Sequence, residues 1–289
     1  MSKVNYGGLP PKVAAVHDLS CVGRCALTVV IPILSALGIQ VCPLPTAVLS
    51  THTGGYEDYT FLDLTDEMPK IAKHWESIGE RFDAVYSGFL GSSGQIRVVL
   101  DFVSGVRRAN PNALFLSDPV MGDNGEKYAT YTDEMCSLTK LLVKEADIIT
   151  PNLTEAAILL DIPYNDSPTD SEIDDMLRKL SDGGKKSVVI TGIYSVCEKT
   201  GRTLVGAAYY DRESKGSGKY FTKLVECSYP GTGEVFTSVL LGKFLGKKDK
   251  LPSAVKSACD FVHKAAQKTY EADAEIRAGV IFEPLLKDL

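Results

Sequence analysis

Short apolar runs that alternate with longer amphipathic segments are the feature of this sequence that most restricts its fold. The runs are rich in β-branched residues and are apolar at consecutive positions, as in KVAAV and SVVIT. Strands of this kind are typical of parallel sheets, whose crossover helices cover both faces. The pattern therefore predicts an α/β fold, a three-layer sandwich with a mostly parallel central sheet and helices on both faces.

The same pattern predicts the individual elements. Strands are expected at residues 12–16, 40–43, 47–50, 84–86, 113–117, 148–150 and 187–191. Helices are expected at residues 24–37, 66–78, 94–108, 133–144, 153–160, 170–180, 234–245 and 253–270. Residues 204–210 and 220–225 are predicted to form an antiparallel pair, because a polar, glycine-rich turn joins them. Since no linker or repeat divides the chain, residues 1–289 are predicted to form one domain.

Charge and apolar patterning exclude several classes of protein. The net charge of -6 argues against a nucleic-acid partner, which would need clustered Lys and Arg. Residues 25–56 lack Asp, Glu, Lys and Arg, but Pro and Gly interrupt them, so no membrane-spanning helix is expected. The N-terminus has no apolar signal core and the 7 cysteines form no CxxC pair, so a cytoplasmic protein with reduced thiols is expected.

The strongest candidate for chemistry is PGTGE at residues 230–234, directly before an apolar helix. Glycines let the backbone approach a ligand closely, and the N–H groups and dipole of a helix start attract anions. Glu234 would then be placed to accept a proton from an attacking hydroxyl. The alternative is a glycine-rich turn with an acidic first-turn residue, which is common at helix starts.

Two further motifs follow predicted strands. In SDPVMGDNG, Asp118 and Asp123 could hold Mg²⁺ through water, although Asp residues in such turns also bond their own backbone. In TPNLTE, Asn152 or Thr154 could cap a helix, and Glu155 would complement its dipole. That structural explanation is sufficient unless Glu155 faces the same cleft as Asp118.

Polar clusters also occur where the chain leaves the sheet, at HDLS (17–20) and THTGG (51–55). They suit hydrogen bonding to a small ring, because ligands of parallel sheets bind beyond the carboxyl ends of the strands. Capping of the neighbouring elements is the alternative. The sequence has no GxxxxGK[ST], GxSxG or HExxH motif, and no GxGxxG after the first strand.

In chain order, these segments resemble the ribokinase-like superfamily, and within it the pyridoxal and pyridoxamine kinases. The matching segments run from Val13 to about Leu241 and are VHDLSCVGR, LSTHTGGY, YSGFLGS, SDPVMGDNGEKY, ITPNLTEA, VVITG and PGTGEVF. The resemblance implies the α/β sandwich predicted above, with a small β flap and commonly a homodimer. It also implies phosphoryl transfer from ATP with Mg²⁺, and it leaves a requirement for a monovalent cation such as K⁺ open.

Roles for single residues follow from the resemblance alone. It implies an anion hole at Gly231, Thr232 and Gly233, a catalytic base at Glu234, and Mg²⁺-organising acids at Asp118 and Glu155. It implies nucleotide contacts at Asp123, Thr150, Asn152, Thr191 and Thr232. It implies contacts with the substrate ring at Asp18, Ser20, Thr53 and Phe89.

The sequence departs from the resemblance at two positions. The base in the family is normally Asp, whereas position 234 is Glu, and Asp18 stands where pyridoxal kinases often carry Ser. Asp18 is more similar to the hydroxymethylpyrimidine kinases. The expected reaction is phosphorylation of the 5′-hydroxymethyl group of pyridoxal, pyridoxamine or pyridoxine. The alternatives are a hydroxymethylpyrimidine (phosphate) kinase of thiamine synthesis and a catalytically silent homologue that binds nucleotide or vitamer.

Overall fold

The computed structural model describes residues 8–197 and 199–289, so most of the N-terminal segment considered for a signal peptide lies outside the described residues. The strands are β1 (Lys12–Ser20), β2 (Gln40–Leu49), β3 (Phe61–Asp63), β4 (Ala84–Ser87), β5 (Leu114–Ser117), β6 (Gly122–Asp123), β7 (Glu126–Lys127), β8 (Ile148–Ile149), β9 (Ser187–Val196), β10 (Thr203–Asp211) and β11 (Gly216–Lys223). The helices are α1 (Leu27–Ala36), α2 (Met68–Ser77), α3 (Ser93–Ala109), α4 (Asp133–Glu145), α5 (Leu153–Leu160), α6 (Asp170–Leu180), α7 (Thr232–Leu245) and α8 (Leu251–Glu271). Two short 3-10 helices, Ile276–Ala278 and Glu283–Asp288, follow α8.

The described residues form a 9-stranded sheet in the order β11-β10-β9-β8-β5-β4-β1-β2-β3. The six strands from β9 to β2 in this order are parallel to one another. Strands β10 and β11 extend one side as antiparallel partners, and β3 pairs antiparallel to β2 at the opposite edge. The parallel strands therefore end at a common edge, where their following loops lie side by side.

Two apolar cores lie on opposite faces of this sheet. One contains buried residues of α2, α3, α4, α5 and α6, and the other contains those of α1, α7 and α8. The central strand β1 is buried on both faces, since Val13, Ala14, Ala15 and Val16 have no exposed surface. The predicted fold class is confirmed, because the apolar strands require helices on both sides.

The structure differs from the predicted elements near β2. Residues 40–43 and 47–50 belong to one strand, Gln40–Leu49, although it contains Pro43 and Pro45. Both prolines lie where β2 pairs only with β1, because pairing with β3 begins at Ala47. A missing N–H is tolerated on a side without a partner strand. The short edge strand β3 was not predicted, since its three residues follow a polar stretch with no alternation.

The N-terminus of α1 also differs from the prediction. The helix begins at Leu27 and not at Arg24, and the preceding residue Ala26 has φ 50° and ψ -130°. This positive-φ backbone lies outside the helical region, so the helix does not extend back through Ala26. Among the described residues, no helix combines the length and apolar character needed to cross a membrane. The organisation of residues 1–289 as one domain stays a prediction.

Candidate active site

The predicted site residues lie at the carboxyl ends of neighbouring strands. They comprise Asp18 and Ser20 in β1, Thr53 after β2, Phe89 after β4, Asp118 after β5, Thr150 and Asn152 after β8, and Thr191 in β9. These strands are adjacent and parallel in the sheet, so residues that are distant in sequence are brought to one edge. The set is completed by Asp123 in β6, Glu155 in α5 and the start of α7, with Gly231, Thr232, Gly233 and Glu234.

The start of α7 requires glycine at position 231. Gly231 is the residue before the helix and has φ 81°, in the left-handed region that favours glycine. A Cβ at this position would lie 2.1 Å from the carbonyl oxygen of Arg24. No side chain caps this helix, and the N–H groups of Thr232 and Gly233 have no acceptor among the described residues. Such N–H groups can bind an anion together with the helix dipole.

Glu234 is the third residue of α7 and is half-buried at the edge of the sheet. The thiol of Cys25 donates a hydrogen bond to its Oε1 atom over 3.4 Å. Burial raises the pKa of the Glu234 carboxyl, and the charge of Asp18 acts in the same direction, whereas the Cys25 thiol and nearby backbone N–H groups lower it. A carboxylate with a raised pKa is a stronger base near neutral pH.

Asp118 is buried directly behind the start of α7, with 7% of its surface exposed. The Thr237 hydroxyl lies 3.3 Å from its Oδ2 atom and 3.2 Å from the Thr150 hydroxyl, so α7 is joined to the ends of β5 and β8. Burial raises the pKa of Asp118 well above its ordinary value, and the charges of Glu155 and Glu234 add to this effect. The acids therefore share one electrostatic environment that a cation would stabilise.

Glu155 is 4% exposed and has two contacts that explain its orientation. Its Oε1 atom accepts a hydrogen bond from the Met121 N–H at 3.0 Å, and its Oε2 atom accepts one from the Asn152 N–H at 2.9 Å. The Asn152 side chain in turn accepts from the Glu155 N–H, which completes a capping box. Burial raises the pKa of Glu155 to about 7. The predicted capping by Asn152 is confirmed.

The capping box also holds the loop that contains Asp118 and Asp123. The Asn152 Nδ2 group donates to the Gly122 carbonyl at 2.9 Å, and the Gly125 N–H donates to the Thr154 hydroxyl at 2.9 Å. Asn152 thus uses both ends of its amide within the protein. Glu155 does not point into solvent, and its charge acts on Asp118. The placement of Asp118 and Glu155 is compatible with a shared Mg²⁺ site, and that role stays a prediction.

The carboxylate oxygens of the site can be compared with the coordination that Mg²⁺ prefers. The described residues contain no group of three or more His, Cys, Asp or Glu side chains arranged to hold a metal ion. Mg²⁺ usually keeps several waters and is bound through one or two carboxylates together with substrate phosphates. Asp118, whose carboxylate interacts with the charge of Glu155, therefore fits a magnesium ion that arrives with a nucleotide better than it fits a permanent metal centre.

The opposite side of the site contains Asp18 and Ser20, both buried. The Ser20 hydroxyl donates to the Asp18 Oδ2 atom at 2.8 Å. Burial raises the pKa of Asp18, although Ser20 and His52 act against this shift. Thr53 is exposed and Phe89 is half-buried. This arrangement offers a carboxylate and a hydroxyl to a small polar ring.

A cavity of about 820 Å³ lies between the start of α7 and the C-terminal segment. It is lined by Gly54, Gly55, Asp123, Ser228, Tyr229, Pro230, Glu275, Ile276 and Arg277. Among the described residues, Arg277 is the only basic side chain in this lining. Its guanidinium lies 4.8 Å above the Tyr56 ring, and its carbonyl oxygen is 2.7 Å from His52 Nε2. The lining thus combines the carboxylates of Asp123 and Glu275 with one cation, Arg277, which is paired with Glu275. It ends at Pro230, directly before the start of α7, where the helix dipole favours an anionic ligand.

Sequence reasoning missed Cys25, Thr237 and Arg277. Thr237 lies three residues after Glu234, so helical spacing alone could have placed it on the same side of α7. Cys25 contacts Glu234 across 209 residues, and no local pattern indicates such a contact. Arg277 belongs to a short 3-10 helix whose sequence shows no periodicity, so its position depended on the folded chain.

Comparison with known proteins agrees with this geometry. The family model for phosphomethylpyrimidine kinase matches residues 31–279. A Bacteroides thetaiotaomicron protein, provisionally named a phosphomethylpyrimidine kinase and crystallised with pyridoxal, is 45% identical, with a TM-score of 0.88 over 96% of this chain and 95% of that chain. The pyridoxal kinase of Lactobacillus plantarum is 27% identical, with a TM-score of 0.85 and 96% coverage of both chains. The pyridoxal kinase of Dictyostelium discoideum is 25% identical over 278 residues, which are 93% of this chain and 89% of that protein.

Proposed function

This chain belongs to the phosphomethylpyrimidine kinase family, and from that premise we propose that it transfers the γ-phosphoryl group of ATP to the 5′-hydroxymethyl group of a vitamin B6 compound. Pyridoxal, pyridoxamine and pyridoxine are the candidate substrates. The observation that carries the proposal is the start of α7. There a carboxylate with a raised pKa, Glu234, stands beside helix N–H groups that have no acceptor among the described residues.

In the proposed reaction, Glu234 accepts the proton of the attacking hydroxymethyl group. The N–H groups of Gly231, Thr232 and Gly233 bind the phosphoryl oxygens during transfer. Phosphoryl transfer of this kind depends mainly on positioning and on stabilising charge, because the protein forms no covalent bond to the phosphate. The α7 start supplies the base and the anion site from adjacent residues, which fixes the distance between them.

Asp118 is the residue proposed to hold Mg²⁺, and Glu155 organises the loop around it. The ion, when bound with ATP, supplies positive charge that neutralises the phosphate oxygens. The Thr237 hydroxyl orients the Asp118 carboxylate, and the capping box fixes Glu155. No described residue is assigned to a monovalent cation.

The nucleotide contacts proposed for Asp123, Thr150, Asn152 and Thr191 differ in kind. Asp123 is exposed and lines the large cavity, so its carboxylate can interact with the nucleotide phosphates through their metal ion. The Thr150 hydroxyl accepts a hydrogen bond from the Thr237 hydroxyl, so Thr150 contributes to the nucleotide site by holding Thr237 in place. Asn152 holds the loop through Gly122, and Thr191 forms a bridge with Asn152. Thr232 is part of the anion site.

The substrate choice is supported by Asp18 and Ser20 and by the similar protein crystallised with pyridoxal. Asp18 can accept a hydrogen bond from a ring N–H or hydroxyl, and its carboxylate would repel a substrate that is already phosphorylated. A hydroxymethylpyrimidine kinase is the second candidate. It is favoured by the name of the matching family and by Asp18 itself.

A turnover assay with ATP and Mg²⁺ separates these candidates. We expect higher kcat/KM with at least one of pyridoxal, pyridoxamine and pyridoxine than with hydroxymethylpyrimidine or its monophosphate. Faster turnover of the pyrimidine phosphate would overturn the B6 assignment. Binding of ATP and vitamer without any turnover would identify a silent homologue.

The homodimer implied by the resemblance also belongs to this proposal. The edge strand β3 exposes Phe61 at 50% and Leu62 at 61% of their surface. Exposed apolar side chains on an edge strand favour association with another chain. Light scattering after size exclusion is expected to give twice the mass of the chain, and a Phe61→Lys, Leu62→Glu double variant is expected to shift it to the monomer.

A further inference from the structure

We infer that Cys25 is a positioning residue for the proposed base, holding the Glu234 carboxylate in the orientation that accepts the substrate proton. This inference rests on the proposed function, because it requires Glu234 to be the base. The family resemblance gives Cys25 no role. The glutamate side chain is one methylene longer than the aspartate usual at this position, so its carboxylate needs a fixed orientation that aspartate would not.

The contact itself is direct. The Sγ atom of Cys25 lies 3.4 Å from Glu234 Oε1, within the range of a hydrogen bond that involves sulfur. A thiol is a weak donor, but a hydrogen bond to an ionised acceptor is stronger than a neutral one. Burial raises the pKa of the Cys25 thiol well above its ordinary value, and the charges of Glu234 and Asp18 add to this. Cys25 therefore keeps its proton and acts as the donor.

The backbone around Cys25 is held firmly by its neighbours. The Cys25 N–H donates to the Thr28 hydroxyl at 3.3 Å, and that hydroxyl donates to the Cys25 carbonyl at 2.7 Å. The Arg24 N–H donates to the Ala278 carbonyl at 3.2 Å. These bonds fix the thiol relative to both α1 and the C-terminal segment.

Two unusual backbone features bring residues 24–26 against α7. Ala26 adopts φ 50° and ψ -130°, a conformation that side-chain-bearing residues rarely occupy. The Arg24 carbonyl would lie 2.1 Å from a Cβ at position 231, so only glycine there permits the approach. Strained backbone of this kind persists where surrounding contacts enforce it, and it is concentrated at functional sites. Here it places the Cys25 thiol beside the carboxylate of Glu234.

The Cys25 thiol and Glu234 share an acidic environment. The other titratable groups that interact electrostatically with Glu234 are Asp18 in β1, Tyr86 in β4, Asp118 after β5 and Tyr128 after β7. The two aspartates disfavour the ionised form of Glu234, and the thiol favours it. Loss of the thiol should therefore change the chemical step and its pH dependence, while substrate affinity stays nearly unchanged.

The test compares Cys25→Ala and Cys25→Ser in two backgrounds, the natural chain and Glu234→Asp. In the natural chain, Cys25→Ala is expected to lower kcat about tenfold, the size of one lost hydrogen bond to a charged group. Both KM values should change less than about twofold, and the acid limb of the kcat–pH profile should move to higher pH. Cys25→Ser, which keeps a donor, should restore most of kcat. In the Glu234→Asp background, Cys25→Ala should have no effect, because the shorter carboxylate does not reach the thiol.

Cys42→Ala is the matched control, since Cys42 is half-buried in β2 away from the site. Unchanged kcat and pH profile in Cys25→Ala would overturn the inference, as would an equal loss of kcat in both backgrounds. Thermal melts identify any misfolded variant. If Cys25→Ala is misfolded, the kcat and pH profile of Cys25→Ser test the positioning role instead. The proposed function is judged separately by Glu234→Ala. Loss of turnover in that variant with a silent Cys25→Ala refutes only the positioning role, whereas full activity of Glu234→Ala refutes the base itself.

Discussion

The helices α5 and α7 both carry a glutamate in their first turn, but the two carboxylates have different surroundings. Glu155 and Glu234 are each the third residue of their helix, and both helices begin at the carboxyl edge of the sheet. In α5 the preceding cap is Asn152, which forms a capping box with Glu155. In α7 the cap is Gly231, which has no side chain to accept from the helix N–H groups, and no side chain of the described residues replaces it as a cap.

The difference shows that the cap residue decides what the helix start can do. An asparagine cap uses its own side chain on the helix N–H groups and draws the third-position glutamate into the same network. A glycine cap leaves the N–H groups to a ligand and leaves the glutamate able to meet substrate. Glu155 is therefore held within a loop network, and Glu234 is the residue that we propose for proton transfer.

The largest effect is expected at Glu234. Glu234→Ala should lower kcat by roughly 10²–10⁴-fold, the usual contribution of a general base, while ATP affinity stays within about twofold because the anion site is backbone. Glu234→Asp should keep substantial activity. Steady-state kinetics and nucleotide titration measure both quantities. Full activity of Glu234→Ala would show that the two helix starts do not differ in this way.

The glycine cap is tested by Gly231→Ala. Alanine there would meet the Arg24 carbonyl and displace the α7 start, so kcat should fall by roughly 10²-fold, as for loss of one oxyanion donor. Gly183→Ala is the matched control, because Gly183 also has positive φ (67°) but no atom within 4 Å of the added Cβ. Gly183→Ala should lose about 1 kcal/mol of stability from its positive φ alone, and Gly231→Ala should lose more, because its Cβ also meets the Arg24 carbonyl. Equal kcat values in the two variants would contradict a special role for the cap.

The structural role of Glu155 predicts a pH dependence of stability. Its pKa is raised from 4.5 to about 7 in the folded chain, so the folded state retains a proton that the unfolded state releases. Stability should therefore fall as pH rises through this window, and the raised pKa values of Asp118 and Glu234 act with the same sign.

Thermal melts of Glu155→Gln between pH 4.5 and 7 measure this contribution. The variant should show a smaller decline of Tm with rising pH than the natural chain, because its side chain does not titrate. Glu134→Gln, an exposed change in α4, is the control and should keep the original slope. A slope that Glu155→Gln leaves unaltered would mean that Glu155 is ionised throughout.

The smallest effect is expected at Arg277. Its positive charge lies near the start of α7. Arg277→Ala should raise the KM for ATP about threefold to tenfold with little change in kcat, since the guanidinium lines the cavity and is partly shared with Glu275. Arg97→Ala, which removes a surface ion pair with Glu134, is the control. A change in kcat alone would place Arg277 in the chemical step instead.

The sequence predicted most strands, the eight α-helices of the described residues and the edge of the sheet where the site lies, because each depends on local apolar patterning or on glycine and capping residues. Errors occurred where tertiary contacts override local patterns. Pro43 and Pro45 did not end β2, since that part of the strand has a partner on one side only. The start of α1 was misplaced because Ala26 adopts a backbone outside the helical region, next to residues 24 and 25, which pack against Gly231.

Sequence by itself determined the fold class, the residue types at the strand ends and the glycine-rich start of α7. These features depend on periodicity and on intrinsic conformational preference, which act over a few residues. The tertiary structure alone decided that Glu155 is held by Met121, that Thr237 lies against Asp118, and that Cys25 meets Glu234. Each of these contacts joins segments distant in sequence, and only the packing of α1, α5 and α7 on one sheet edge brings their side chains within hydrogen-bonding distance.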